Sequence, residues 1–104
     1  MGRKKLQLYR KEAFAAQRGK CFYCFRPMWL DDKDEFASTY QISRRMAGLF
    51  QCTAEHLKAK CDGGKDRPEN IVAACKYCNG HRHRRKRPMV PEAYQLHVRR
   101  RIAA

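Results

Sequence analysis

Two CxxC pairs, Cys21/Cys24 and Cys75/Cys78, constrain the fold more than any other feature of the sequence. Together they offer four thiolates, which matches the tetrahedral coordination of a structural zinc ion. Because the pairs lie far apart in the chain, a shared ion would tie an N-terminal turn to a unit near the C-terminus. We therefore predict a structural Zn²⁺ site. Two separate redox dithiols are the alternative, but neither pair lies in the βαβ pattern typical of such dithiols.

A metal staple suits the small size of the chain, which has 104 residues. A domain of this length buries too little surface for its core alone to be strongly stabilising. We expect one domain over residues 1–104, with an N-terminal helix in 1–20, a zinc-bound core in 21–87 and a basic C-terminal helix in 88–104. Cys52 and Cys61 are left over, and each is expected to be a small buried apolar residue.

The cysteine content also bears on location. Six cysteines, four of them in CxxC pairs, favour metal binding in a reducing compartment over disulfides. No apolar run is long enough to span a bilayer, and the basic N-terminus lacks the apolar region of a signal peptide. We therefore expect a cytoplasmic protein with no membrane partner.

The charge of the chain predicts a polyanionic partner. Lys and Arg number 24 against 10 Asp and Glu, which gives a net charge of +14. Such an excess favours nucleic acid as the partner, and a merely soluble basic surface is the alternative. We expect phosphate contacts and steep salt dependence. The predicted DNA-binding residues are Arg82, Arg84, Arg85, Lys86 and Arg87, followed by Arg99, Arg100 and Arg101.

The order of predicted elements indicates a small α+β fold. A helix over 3–18, with a buried stripe of Leu6, Tyr9, Ala13 and Ala16, is followed by Gly19 and the first CxxC turn. Strands are predicted at 51–56 and 70–75, joined by a polar loop and followed by a helix from the second CxxC to about Arg87. A last helix from Pro91 would bury Tyr94, Val98 and Ile102. Between these elements, the acidic residues 31–35 are expected in a solvated loop, and Ser43 to cap a short helix through Phe50.

Polar residues at the end of the first predicted strand and in the helix after the second strand form a candidate catalytic site. Neighbours in a strand point to opposite faces, so Glu55 and His56 can face one site only where the strand bends. Asn79 and His83 are four residues apart and share a face of the following helix. Carboxylate and amide oxygens suit Mg²⁺ or Mn²⁺. His56 is a candidate general base, with a surface histidine as the alternative, and Asn70 is a candidate loop clamp, with a turn residue as the alternative.

The run EH-x13-N-x4-C-x2-C-N, with an earlier CxxC, resembles the HNH endonucleases of the His-Me finger (ββα-metal) superfamily. The resemblance covers roughly residues 19–87 and is densest over 53–83. It implies a zinc-stapled ββα-metal core and a metal-dependent DNA endonuclease with weak sequence preference. In such an enzyme His56 would be the general base and Asn70 would hold the loop. It also implies that Glu55 and Asn79 bind a catalytic divalent cation, Mg²⁺ with Mn²⁺ and Ni²⁺ as alternatives. His83 is either a further ligand or a phosphate contact.

The chain departs from this family at two ligand positions. Many members carry Asp or His where this chain has Glu55, and many carry His where it has Asn79. Two other functions therefore stay open: a non-catalytic, zinc-stapled DNA-binding module, and a structure-selective junction resolvase. The resolvase would need a dimer, and the sequence leaves monomer and homodimer undecided.

Overall fold

The computed structural model describes residues 2–103, so both ends of the predicted domain, Met1 and Ala104, lie outside the described residues. The fold is α+β, as predicted, with a ββα unit flanked by helices. Its helices are α1 (Gly2–Ala16), α2 (Lys33–Tyr40), α3 (Arg44–Gly48), α4 (Lys76–His83) and α5 (Pro91–Ala103), its strands are β1 (Cys52–His56) and β2 (Ile71–Cys75), and short 3₁₀ turns span Lys60–Asp62 and Pro68–Asn70. Within this range, no helix is both long and apolar enough to cross a membrane.

The two strands pair antiparallel and differ from their predicted bounds by one residue each. The register aligns Cys52 with Cys75 at one end and His56 with Ile71 at the other. Beyond that second end, the Leu57 N–H donates to the Asn70 carbonyl at 2.9 Å, where the connecting loop begins and returns. The sheet therefore separates a cysteine end from a loop end.

Helix α1 packs on the sheet through a polar side chain as well as apolar ones. Gln17, just after the helix, donates to the Ala73 carbonyl at 2.8 Å and accepts from the Ala73 N–H at 2.9 Å. Ala13 and Phe14 pack against the core, whereas Ala16 is exposed. The predicted buried stripe was thus wrong at Ala16, because Phe14 and Gln17 direct the other side of the last turn toward the sheet.

Helix α5 covers the first CxxC turn. The ring of Tyr94 is buried and meets Tyr23 edge to face at 5.0 Å, and Gln95 Nε2 donates to the Phe22 carbonyl at 2.7 Å. Val98 is partly buried, but Ile102 is 45% exposed, so the predicted buried stripe stops one turn early.

Two other expectations need correction. Asp32 caps a true helix, α2, by accepting from the Glu35 N–H at 2.9 Å, so Asp34 and Glu35 lie in a helix and not in the solvated loop expected over residues 31–35. Helix α4 ends at His83 rather than near Arg87, because the chain turns back and the Met89 carbonyl accepts from Arg82 Nε at 3.0 Å. The predicted cap at Ser43 is confirmed, since its Oγ accepts from the Met46 N–H at 3.0 Å, although α3 ends at Gly48.

Candidate functional site

Four cysteine sulfurs meet at the cysteine end of the sheet. The Sγ atoms of Cys21, Cys24, Cys75 and Cys78 lie within 4.8 Å of one another, and all four residues are buried. Zinc–sulfur bonds of about 2.3 Å in a tetrahedron put sulfurs about 3.8 Å apart. The Cys24–Cys75 separation of 3.9 Å agrees with that spacing. The cluster is therefore a possible zinc site and joins the two predicted half-sites.

Backbone N–H groups around this cluster donate hydrogen bonds to the sulfurs. Cys21 Sγ accepts from the N–H groups of Tyr23 at 3.4 Å, Cys24 at 3.5 Å and Cys75 at 3.3 Å. Cys75 caps α4, because its Sγ accepts from the Cys78 N–H at 3.4 Å. Turn and helix N-terminus thus present donors to the ligands, as a thiolate cluster requires.

Crowding of the thiols moves their pKa values apart. The hydrogen bond from Cys24 is the main cause that lowers the pKa of Cys21, whereas the hydrogen bond to Cys21 is the main cause that raises the pKa of Cys78. Some of the four thiols therefore stay protonated when no cation is present, and all four can be thiolates together only with a cation among them. Of the two other cysteines, Cys52 is buried, and burial raises its pKa to about 11. Cys61 is exposed, so the expectation of a buried residue was wrong there.

Glu55 is the most deeply buried acid of the site, with 1% of its surface exposed. Its Oε2 accepts from the Tyr23 hydroxyl at 3.0 Å and from Arg82 Nη1 at 3.1 Å. Its Oε1 lies 2.8 Å from His83 Nε2. Burial, followed by the negative charge of Glu55, raises the pKa of Tyr23, so the phenol stays protonated and able to donate.

Arg82 is the partner that compensates the buried Glu55 charge. Its side chain is only 4% exposed, and its remaining donors point to the carbonyls of His56 at 3.3 Å, Leu57 at 3.3 Å and Met89 at 3.0 Å. Buried charges require this combination of ion pairing and hydrogen bonds. The residue expected among the phosphate contacts therefore occupies the interior and cross-links α4 to the end of β1.

The expected ligands of a divalent cation are only partly brought together. Two ligands in neighbouring positions of an octahedron lie about 3 Å apart when each is about 2.1 Å from the ion. The 2.8 Å between Glu55 Oε1 and His83 Nε2 fits that requirement. Asn79 instead donates through Nδ2 to Thr53 Oγ1 at 3.0 Å. Glu55 and His83 are thus in direct contact, whereas Asn79 is tied to the neighbouring part of β1.

His56 lies on the other face of β1, as strand alternation requires. Its Nε2 is 2.6 Å from Asp66 Oδ1, and Lys60 Nζ is 3.5 Å from the same oxygen. The hydrogen bond with His56 is the main cause that lowers the pKa of Asp66. Sequence reasoning missed Asp66, since an Asp in a loop rich in Gly and Lys indicates only a turn.

The loop between the strands is held by Asn70. Its Oδ1 accepts from the Lys58 N–H at 2.8 Å, and its Nδ2 donates to the carbonyls of Lys58 at 3.1 Å and Lys65 at 3.0 Å. Gly64 lies so close to Lys58 that an added Cβ would overlap its carbonyl oxygen. Asn70 therefore pins both the start of the loop and the segment next to Asp66.

The other expected phosphate contacts are on the surface. Arg84, Arg85, Lys86, Arg87, Arg100 and Arg101 are exposed. Arg99 is exposed too, but its guanidinium donates to the Tyr23 and Phe22 carbonyls and lies 5.5 Å from the centre of the Phe25 ring. Arg99 thus also fastens α5 to the first CxxC turn.

Residues 44–85 match the family model described as HNH endonuclease. The searches of curated proteins and of solved structures return no match. The matched segment runs from α3 through both strands and α4. It contains Glu55, His56, Asn70 and the second cysteine pair, whereas Cys21 and Cys24 precede it.

Proposed function

We propose that this chain, whose residues 44–85 match the HNH endonuclease family model, hydrolyses phosphodiester bonds of DNA in a reaction that needs a divalent cation. The observation that carries the proposal is the contact between His56 Nε2 and Asp66 Oδ1 at 2.6 Å. It fixes an imidazole at the end of β1, on the strand that also carries Glu55.

The contact with Asp66 supports a role of His56 as general base. A proton on Nε2 donates to the carboxylate, which leaves the lone pair on Nδ1. Nδ1 takes a proton from water as the water oxygen bonds to phosphorus, and the bond from phosphorus to the leaving oxygen breaks. Asp66 acts through His56 and is therefore a positioning residue.

Asn70 is a second positioning residue. Its three hydrogen bonds reach Lys58 and Lys65, on the two sides of the loop. They hold the segment that carries Asp66 against the strand end that carries His56. This agrees with the role that the family resemblance implies for Asn70.

Glu55 and His83 would hold the divalent cation, with Asn79 as a further candidate. The cation supplies charge neutralisation at the phosphate and the leaving oxygen. Arg82 lies 3.1 Å from the other carboxylate oxygen of Glu55 and offsets its charge. We therefore expect weak cation affinity in the free protein and tighter binding once a phosphate is present.

The four-cysteine cluster has a structural role in this proposal. Zn²⁺ held by Cys21, Cys24, Cys75 and Cys78 would fasten the first CxxC turn to the N-terminus of α4. Helix α4 in turn carries Asn79 and His83, so the zinc site sets the position of the proposed cation ligands.

The exposed cations around α4 and α5 would bind the DNA backbone. The run from Arg84 to Arg87 directly follows the helix that carries His83. Phosphate contacts of this kind give affinity that falls with salt and little sequence preference.

One observation favours the alternative of a non-catalytic DNA-binding module. The guanidinium of Arg82 at Glu55 occupies one of the two carboxylate oxygens and opposes a second cation there. A module of this kind would keep the zinc site and the basic surface but would not cleave.

Plasmid nicking in the presence of Mg²⁺, Mn²⁺ or Ni²⁺ separates the two functions. We expect His56→Ala to lower the cleavage rate by about 10²–10⁴-fold, the contribution typical of a general base. DNA binding and zinc content should not change. Absence of nicking by the wild-type protein with all three cations would replace the nuclease by the binding module.

A matched pair of carboxylate variants tests the role of Asp66. Asp66→Asn should lower the rate by less than His56→Ala does, because the base remains but loses its orientation. Asp62→Asn, an exposed residue of the same loop, should cleave like the wild type. Equal rates for both variants would remove Asp66 from the mechanism.

A further inference from the structure

A cavity of about 680 Å³ lies among α3, α4 and α5. Sites for small organic molecules span about 300–1,000 Å³, so the cavity is large enough for one nucleotide. Three buried cysteines of the sulfur cluster, Cys24, Cys75 and Cys78, form its floor. The proposed cation ligands Glu55, Asn79 and His83 are not among the described residues that line it.

The apolar part of the lining consists of side chains that a soluble protein normally buries. Met46, Leu49, Tyr77 and Ile102 are all exposed, and all four line this cavity. Tyr77 stacks on His81 with a centroid distance of 3.9 Å and an angle of 25° between the rings. Clustered exposed apolar groups of this kind mark binding surfaces. The Tyr77–His81 pair gives the cavity a flat aromatic wall.

The charged part of the lining is entirely basic. Arg26, Arg85 and Arg101 are exposed and line the cavity, and no Asp or Glu does so in the described part of the chain. A second cavity, beside α2, has aromatic residues too but is lined by Asp31, Asp32 and Glu35. Of these two cavities, the first therefore combines an aromatic wall with cations that suit a phosphate.

The cavity lies on a different side of α4 from the proposed cation site. Tyr77 precedes Asn79 by two residues, and His81 precedes His83 by two. Two residues correspond to about 200° around a helix. Asn79 and His83 contact Thr53 and Glu55 of β1. The same helix thus presents one face to β1 and the other to the cavity.

We propose that this cavity binds one unpaired nucleotide of a single-stranded nucleic acid. The base stacks on the Tyr77–His81 wall, and its phosphate contacts the arginines at the rim. The phosphate stays at the rim because the cysteine sulfurs of the floor carry negative charge when they hold a metal. This inference rests on the proposed function only in taking nucleic acid as the partner, and it defines a contact with unpaired strands.

Binding of zinc-loaded protein to short oligonucleotides, without added divalent cation, tests the inference. Fluorescence anisotropy compares an oligothymidylate with an abasic strand of equal length and charge. We expect the thymine strand to bind about tenfold more tightly, the effect of one stacked base. Equal affinities for the two strands would overturn the proposal. Loss of nuclease activity alone would not bear on it, because this assay contains no cleavage step.

Two pairs of matched variants locate the contact. Tyr77→Ala should abolish the tenfold preference for the thymine strand, whereas Tyr40→Ala should keep it. Tyr40 is a matched control because it is 49% exposed, against 47% for Tyr77, and does not line this cavity. Arg101→Ala should weaken binding of both strands several-fold more than Arg45→Ala, an exposed arginine outside the cavity. Equal effects within either pair would overturn the assignment.

Two further arms use the unchanged protein. A bromodeoxyuridine strand should form photo-crosslinks at Tyr77 or His81, and crosslinks confined to residues outside the cavity would refute the site. Free thymidine monophosphate should compete much more weakly than the strand. Equal competition would assign the cavity to a soluble nucleotide and overturn the proposal of a strand contact.

Discussion

The two ends of the short sheet are built in different ways. At the Cys52–Cys75 end, four buried sulfurs lie within 4.8 Å of one another. At the His56–Ile71 end, a polar loop is held by side chains that accept and donate hydrogen bonds across it. The first arrangement, as a possible zinc site, would depend on one metal ion and be all-or-none, whereas the second depends on several hydrogen bonds that each contribute little. Changes at the two ends should therefore differ in size.

Loss of the metal should have the largest effect. Cys78→Ser, or excess chelator, should abolish cooperative folding, because structural zinc contributes about 10–16 kcal/mol in small metal-dependent domains. Elemental analysis should give one zinc per chain, and circular dichroism should show the loss of structure. Cys61→Ser is the matched control, since Cys61 is exposed and lies outside the cluster. A zinc-free protein that melts like the wild type would contradict a difference between the two ends.

The Glu55–Arg82 pair joins α4 to the loop end, and its loss should have the second-largest effect. Arg82→Met leaves a carboxylate that is 1% exposed without its cation, which costs about 3–5 kcal/mol in other buried pairs. Urea unfolding measures this cost, and the exposed Arg84→Met should stay within about 0.5 kcal/mol of the wild type.

A double variant separates the pair from packing effects. If Arg82 acts through Glu55, then Arg82→Met combined with Glu55→Gln should cost less than the sum of the two single changes. Additive costs would mean that Arg82 stabilises the fold only through its contacts with the carbonyls of His56, Leu57 and Met89.

The sequence predicts the two ends unequally well. The cysteine end is predictable because CxxC spacing indicates the ligands whatever the fold around them. The strands and their order also follow from local pattern. Glu55 and Asn70 are visible as motif residues, and the structure gives each of them several partners.

Long-range pairing is what the sequence conceals. Arg82 stands in a run of basic residues, and nothing local distinguishes the one that turns inward to Glu55 from those that stay exposed. Asp66 reaches His56 only because the loop folds back on itself. The same limit applies to Ala16 and Ile102, whose exposure depends on where the neighbouring elements end.

Two glycines of the ββα unit, Gly64 and Gly80, differ in the space around them. Gly64→Ala would push a Cβ into the backbone of Lys58 and Ala59, so the loop must shift, at a cost of about 1–3 kcal/mol. Gly80→Ala in α4 meets nothing within 4 Å and should stabilise the helix by about 0.5–1 kcal/mol.

Urea unfolding and plasmid nicking together measure the difference between the Gly64→Ala and Gly80→Ala variants. Gly64→Ala should lower the cleavage rate, since the shifted loop carries Asp66, whereas Gly80→Ala should leave it unchanged. A Gly64→Ala protein with wild-type stability and rate would mean that the loop is not fixed as tightly as its contact with Lys58 implies.

The smallest expected effect is the acid dependence of the loop end. The hydrogen bond with His56 lowers the pKa of Asp66 from its usual 3.8. A carboxylate with a lowered pKa stabilises the folded protein above its usual pKa, and that contribution is lost as the pH falls through the lowered value. At neutral pH, Asp66→Asn should therefore be less stable than the wild type, and the gap should close below about pH 4. Acid also releases zinc from the cysteines and would then unfold every variant, so the comparison is made only at pH values at which all three proteins keep their zinc, where the gap should narrow as the pH falls. Urea unfolding of the wild type, Asp66→Asn and Asp62→Asn across this range isolates the contribution of the Asp66 charge to the free energy of unfolding. A difference between wild type and Asp66→Asn that persists in acid would show that the contact does not depend on this charge.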